Sequence, residues 1–197
     1  MSVYLNVFSQ SGGNKDAYTY TVREEYGDLN HDGKMDKLIV KMDTVGTTRP
    51  LKLEIFLSQP NGKYALEVSS DQIIEPQYPA EKQGRYNGFQ IPDFIIEKGI
   101  LKMWSEMEGG NITYHFKYNK GNFELIYVEK LTNDATQPYI DENTVFTETT
   151  FDLVTGIRIE TDERSGSAGT LKVRKKKVFI RPLPKIQDFK FSDKELY

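Results

Sequence analysis

The sequence lacks several features that would assign a protein class directly. It contains no cysteine, which excludes disulfide bonds, thiolate metal sites and cysteine nucleophiles but does not fix the compartment. No run approaches the roughly 18 apolar residues that a transmembrane helix needs. The net charge of −3 gives no overall basic field for nucleic acid or an anionic membrane. We therefore expect no nucleic-acid partner and no transmembrane segment.

Aromatic residues are abundant. The chain has 197 residues and contains 12 Tyr and 11 Phe but only one Trp. Tyr and Phe favour the pleated, half-buried surfaces of β-sheets. The length suits one domain with a core of its own, and we expect residues 11–197 to form a single β-rich domain.

The pattern of apolar residues favours an all-β fold. Stretches that alternate apolar and polar residues, such as 51–57 and 112–118, recur about every ten residues with turn signals between them. No helical period separates them, so we predict antiparallel meanders and hairpins with few helices. They would form a sheet, a sandwich or a partial propeller-like domain. The last strands are predicted at 169–177 and 178–181.

A proline-containing stretch interrupts this pattern at residues 69–93. We predict an irregular connection there, with a short helical turn near 80–83.

The first ten residues can be interpreted in two ways. Residues 1–10 are moderately apolar and end Val7-Phe8-Ser9-Gln10. This segment resembles the end of a bacterial secretion signal, although it lacks a basic start. It reads equally as a first β-strand, and both interpretations stay open.

The most specific chemistry lies in residues 28–36. Asp28, Asn30 and Asp32 place oxygen-bearing side chains at alternate positions, and Gly33 and Asp36 follow. Crowded carboxylates repel each other unless a cation neutralises them, and oxygen ligands favour calcium over zinc or copper. The alternative is an Asp- and Gly-rich hairpin loop that needs no ion.

The loop begins like an EF-hand but does not continue as one. An EF-hand requires a bidentate Glu at its twelfth position, where this chain has Ile39. The spacing instead resembles the calcium loops of FG-GAP and VCBS-type repeats, as in integrin propellers, which end at the ninth position and lead directly into a strand. This resemblance implies a calcium ion held by the side chains of Asp28, Asn30, Asp32 and Asp36 and by the backbone carbonyl of Lys34.

A second resemblance covers residues 99–129. The steps Tyr114-x-Phe116-x-Tyr118 and Asn119-x-Gly121-x-Phe123 resemble a segment of uncharacterised exported bacterial proteins. The step 153–156, followed by a Lys-rich strand, matches the same group. That group pairs one Asp-rich loop near the N-terminus with an antiparallel meander, and it has no settled activity to carry over.

Other residues offer weaker signals. His31 occupies a non-ligand position in the loop and is expected to face solvent, and His115 is expected to pack on the sheet surface. Trp104 either anchors the core or lines a sugar site beside Glu106 and Glu108. The basic run 174–177, with Lys172 and Arg181 nearby, either protects an exposed sheet edge or binds an acidic partner.

Two functions remain after these observations. The first is a non-enzymatic, exported calcium-binding protein in the periplasm or at the cell surface of a bacterium, where it binds another protein or a glycan. The second is a hydrolase that acts on carbohydrate through the acids near Trp104. No nucleophile motif such as Gly-x-Ser-x-Gly occurs in the chain, so we predict no catalytic or cofactor-binding residues and favour the first function.

Overall fold

The computed structural model describes residues 17–135, 139–167 and 169–197. The interpretations of residues 1–10 lie outside these ranges. Within them the chain forms strands and short 3-10 helices but no α-helix, which confirms the predicted all-β class. The strands are β1 (Tyr18–Gly27), β2 (Asp36–Asp43), β3 (Leu51–Ser58), β4 (Tyr64–Ser70), β5 (Asp93–Glu97), β6 (Ile100–Met107), β7 (Gly110–Asn119), β8 (Asn122–Asn133), β9 (Val145–Asp152), β10 (Ile157–Arg164) and β11 (Thr170–Lys177).

The strands form two antiparallel sheets. One has four strands in the order β1-β2-β3-β4, and the other has seven in the order β11-β10-β9-β8-β7-β6-β5. Each strand pairs with its neighbour in sequence, so both sheets are meanders. No helix among the described residues is long and apolar enough to cross a membrane.

The two sheets share one hydrophobic core. Alternation places Leu38 and Val40 of β2 on the inner face of the first sheet, and Tyr114 and Phe116 of β7 on that of the second, all at most 2% exposed. Near the end of the chain, Phe189 covers the core, with its ring centroid 4.9 Å from that of Tyr114. Burying an aliphatic or Phe side chain of this kind contributes about 1.5–3 kcal/mol, so these faces determine the register of both sheets.

The seven-stranded sheet extends beyond this core. Phe151 of β9 is buried in it, but no residue of β10 or β11 belongs to the core. These two strands form a projecting hairpin, in which every residue of β11 except Arg174 is exposed. Its side chains therefore meet solvent on both faces.

The connections between strands match the sequence interpretation in part. The irregular stretch 69–93 contains the predicted helical turn, a 3-10 helix at Ala80–Lys82, and a second 3-10 helix spans Phe191–Leu196. The strand predicted at 178–181 is wrong. The amide of Val178 donates a single bond to the carbonyl of Gly156 (2.7 Å), and the chain then leaves the sheet toward Pro182, which has no N–H for a ladder.

Candidate metal-binding loop

The Asp-rich loop connects β1 to β2 and lies where the two sheets meet. β1 ends at Gly27, where an added Cβ would lie 2.3 Å from Cγ2 of Ile96 on β5. Glycine at this position therefore allows the edge strands β1 and β5 to approach each other. The loop that follows spans residues 28–35, and β2 begins at Asp36.

Side-chain oxygens inside the loop accept hydrogen bonds from its own backbone. The carboxylate of Asp28 accepts from the amides of Asp32 (3.1 Å) and Gly33 (2.9 Å), and Oδ1 of Asn30 accepts from the Asp32 amide as well (3.0 Å). The Asp28 and Asn30 oxygens therefore converge on one nitrogen. Oδ1 of Asp32 accepts from the amide of Lys34 at 2.9 Å. These bonds hold three of the predicted ligands around a tight turn.

Backbone conformation makes this turn possible. Gly33 has φ +81° and His31 has φ +61°. The left-handed region suits glycine, and it is uncommon for a residue such as histidine. Glycine at position 33 therefore permits the sharp bend of this loop.

Asp36 has a structural role that the sequence did not reveal. Its side chain is fully buried, with Oδ2 accepting from the amide of Leu29 and Oδ1 from the amide of Ser58, both at 2.8 Å. One carboxylate thus joins the start of the loop to the end of β3. Leu29 is itself 1% exposed and fixes the loop to the core. The bond to Ser58 spans 22 residues, which no local pattern indicates.

Lys34 lies partly buried beside the other predicted ligands. Its amide bonds to Asp32, and its ammonium nitrogen lies 3.7 Å from Oδ2 of the same residue. This contact places a positive charge at the loop and offsets part of its negative charge. The role of the Lys34 carbonyl as a ligand stays a prediction.

His31 is exposed, as expected, but it also contacts the other sheet. A Cβ added at Gly99, in the turn between β5 and β6, would lie 2.1 Å from Nε2 of the imidazole. The ring therefore packs directly on this glycine, whose φ is +74°. The loop is thus in contact with both sheets.

The loop has the oxygen-bearing residues predicted for a calcium site but does not gather its carboxylates at one point. The described residues contain no group of three or more His, Asp or Glu side chains that could hold a metal ion. The cause is visible in the contacts: both Asp36 oxygens bind amides where the loop joins the strands, whereas Asp28, Asn30 and Asp32 bind amides within the loop. A carboxylate offers about four lone-pair sites, so each of these groups retains capacity for a cation.

Trp104 and the two acids near it have different surroundings. Glu106 lines a cavity of about 50 Å³ together with Glu75, and its Oε2 accepts a hydrogen bond from the amide of Gln90 (2.9 Å). Trp104 is half-buried and lies outside the cavity lining, and Glu108 is exposed in the turn after β6. The cavity has room for a few water molecules, and ligand sites are commonly several-fold larger.

His115 packs across strands, as predicted. Its imidazole makes an edge contact with the ring of Tyr127 on β8 (5.3 Å between centroids), and Nε2 lies 3.5 Å from a Glu129 oxygen. Burial lowers the pKa of His115 below its ordinary 6.5 even though Glu129 acts in the opposite direction. The imidazole is therefore neutral at pH 7 and serves in packing.

The basic run lies on β11, which is the edge strand of the seven-stranded sheet. This placement agrees with the edge position predicted for it. Lys172 belongs to the same strand, but Arg181 does not join the run. Its guanidinium donates to the carbonyls of Leu153 (2.8 Å) and Val154 (2.7 Å) in the turn between β9 and β10.

No protein-family model matches this chain, and comparison with curated proteins and with solved structures gives no significant match.

Proposed function

We propose that this protein is a non-enzymatic, exported calcium-binding β protein that acts as an interaction module in the periplasm or at the cell surface. The observation that supports the calcium assignment is that the side-chain oxygens of Asp28, Asn30 and Asp32 lie around one tight turn. An ion would draw these oxygens, which accept backbone hydrogen bonds in its absence, together with Asp36 into one shell of oxygen ligands.

The proposed ligands are the side chains of Asp28, Asn30, Asp32 and Asp36 and the carbonyl of Lys34. Calcium bound there would neutralise the carboxylates of the loop. Because Asp36 already joins Leu29 to Ser58 and His31 packs on Gly99, this neutralisation would stabilise the contact between the two sheets. This placement supports a structural role for the ion.

The interaction role has separate support. The hairpin of β10 and β11 projects beyond the core and exposes apolar and basic residues together. Export has support only in the sequence, where residues 7–10 resemble the end of a secretion signal. Fractionation of the native bacterium tests it: the protein is expected in the periplasmic or surface fraction, and recovery from the cytoplasm would contradict export.

The calcium assignment is tested by thermal unfolding with matched variants. Asp32→Ala removes a proposed ligand and one backbone bond, to Lys34 at 2.9 Å. Asn61→Ala removes an equivalent bond, to the amide of Lys63 at 3.0 Å, in the turn between β3 and β4. We expect Asp32→Ala to lower the melting temperature in calcium and to change it little in EDTA, because only the calcium-loaded state loses a ligand.

Asn61→Ala should lower the melting temperature by the same small amount in both buffers. Equal losses for Asp32→Ala with and without calcium would show that the loop works without an ion. In that case Asp32 would serve the turn alone, as Asn61 does.

The alternative, a carbohydrate hydrolase using acids near Trp104, has one supporting observation: Glu75 and Glu106 share a cavity. Its small volume and the position of Trp104 outside it favour the non-enzymatic role. Release of reducing sugar from envelope glycans by the wild type, abolished in Glu106→Gln, would reverse this preference.

A further inference from the structure

The edge strand β11 combines an unusual charge with an open side. It pairs with β10 and forms one end of the sheet, so its other side has no strand neighbour in the described part of the chain. Five of its eight residues are basic and none is acidic: Lys172, Arg174, Lys175, Lys176 and Lys177. An edge of this kind presents a row of backbone N–H and C=O groups to a further strand.

One face of the strand is already organised by ion pairs. In the register with β10, Lys172 lies opposite Asp162, and Arg174 lies opposite Glu160. The guanidinium of Arg174 donates to both Asp162 (2.7 Å to Oδ1) and Glu160 (2.9 Å to Oε2). These bonds fix Arg174 in place and compensate its charge. The three basic residues of this face outnumber the two carboxylates of β10, so the face keeps an excess of positive charge.

On the other face the positive charges lie opposite apolar residues. Lys175 pairs in register with Ile159, and Lys177 with Ile157. No carboxylate of β10 lies directly opposite these two lysines. These two charges therefore add to the positive field around the open side of β11, beside the lysines of the other face.

Apolar side chains accompany these charges. Leu171 is 50% exposed and Val173 is 61% exposed, and Phe179 just beyond the strand is 62% exposed. Lysines alone would suffice to keep other sheet edges away. Exposed aliphatic residues between them add contact area that protection does not require.

We propose that the open edge of β11 binds an extended acidic segment of a partner protein, which adds an eighth strand to the sheet. This inference rests on the interaction role proposed above and names the partner by its chemistry; it does not depend on the calcium loop. Main-chain hydrogen bonds would provide affinity and the side chains specificity, as in strand addition to other sheet edges.

The two faces of β11 define the sequence that fits. Carboxylates at alternate positions of the incoming strand would meet Lys172 and Lys176, which lie on either side of the paired Arg174 on one face. Apolar residues at the intervening positions would meet Leu171 and Val173 on the other. A second copy of this strand is a poor occupant because basic residues would face each other across the new pair.

The test is a fluorescence-polarisation titration of the full chain with a labelled ten-residue peptide that alternates Glu and Val. Two further probes are the same peptide methylated at alternate backbone nitrogens and a polyphosphate of equal charge. We expect the unmodified peptide to bind, methylation to weaken binding at least tenfold, and EDTA to leave binding unchanged. Equal affinity for the methylated peptide, or preferential binding of polyphosphate, would overturn strand addition.

Matched variants locate the site. Lys172→Glu/Lys176→Glu should raise the Kd roughly tenfold, because two attractive contacts become repulsive. Lys63→Glu/Lys120→Glu changes the charge equally at exposed turns and should leave the Kd unchanged; an equal loss there would refute the assignment to β11.

The same assay has two further uses. If the charge reversal prevents folding, Lys172→Gln/Lys176→Gln tests the same site without adding negative charge. We expect its Kd to be several-fold higher than that of the wild type. Binding of the peptide in a chain that shows no calcium response would contradict the calcium role alone. A calcium response without peptide binding would contradict this inference alone.

Discussion

Replacing Asp36 by alanine removes a fully buried carboxylate that joins two distant parts of the chain. Both of its oxygens accept backbone hydrogen bonds at 2.8 Å, from Leu29 and from Ser58. An amide left buried without an acceptor costs about 1–3 kcal/mol. Two such amides give an expected loss of roughly 2–6 kcal/mol in the free energy of unfolding, with the partly buried Ser58 favouring the lower half.

This loss is large beside the typical stability of a domain, about 5–15 kcal/mol. Asp36→Asn keeps one oxygen as an acceptor but replaces the other with an NH2 donor, which would face a backbone N–H. One of the two backbone bonds is therefore lost, and we expect an intermediate loss of about 1–3 kcal/mol. Asp43→Ala is the matched control. Asp43 also accepts two backbone bonds, an exposed one from Val45 (2.8 Å) and a partly buried one from Gly46 (2.9 Å), but its side chain is not fully buried, so water can replace at least the first.

Urea unfolding followed by the fluorescence of Trp104, the single tryptophan, measures all three variants. The titrations are run in EDTA, so that ion binding does not contribute. A loss for Asp36→Ala no greater than that for Asp43→Ala would refute the reasoning, since it would mean that burial of the two amides carries no penalty.

The remaining predictions concern other contacts. Hydrogen bonding to Arg174 lowers the pKa of Asp162 from 3.8 to about 2; the pairing therefore stabilises the fold above pH 3.8 and is lost as the pH falls through about 2. A carboxyl-carbon NMR titration should give that midpoint, and a higher one in Arg174→Gln; a wild-type midpoint near 3.8 would contradict the ion pair. Gly99→Ala should lower stability by roughly 1–2 kcal/mol for its positive φ, with a further loss from overlap with the His31 ring. Combining it with His31→Ala should recover only that further loss of stability. A double-mutant cycle of the two substitutions that shows no coupling energy would rule out the contact.

Much of the fold follows from the sequence because the core determines it. The alternation of Leu51, Leu53, Ile55 and Leu57 can be satisfied only if one face of a strand is buried, and all four side chains are at most 5% exposed. Turn residues between such stretches then lead to meanders. The helical turn near residue 80 lies in the stretch where prolines interrupt the strand pattern, and this local signal also allowed it to be predicted.

The prediction failed where long-range contacts decide the structure. Residues 178–181 have strand-forming side chains, but Arg181 binds the carbonyls of the turn between β9 and β10, and the chain follows that contact away from the sheet. Strand propensity reports local preference and is overridden by such contacts.

The same distinction between local and long-range contacts applies to the candidate loop. Its turn could be predicted because the bonds of Asp28, Asn30 and Asp32 are local. The bond from Asp36 to Ser58 and the contact of His31 with Gly99 could not, because each depends on how the sheets are arranged.

Calorimetric titration of the full chain with calcium tests the central claim most directly, that the loop at residues 28–36 binds this ion. We predict one ion per chain with a Kd on the order of 10⁻⁴–10⁻³ M, as for extracellular calcium modules, and no binding heat for Asp28→Ala. No heat from the wild type at several-fold higher calcium, or the same heat from Asp28→Ala, would contradict it.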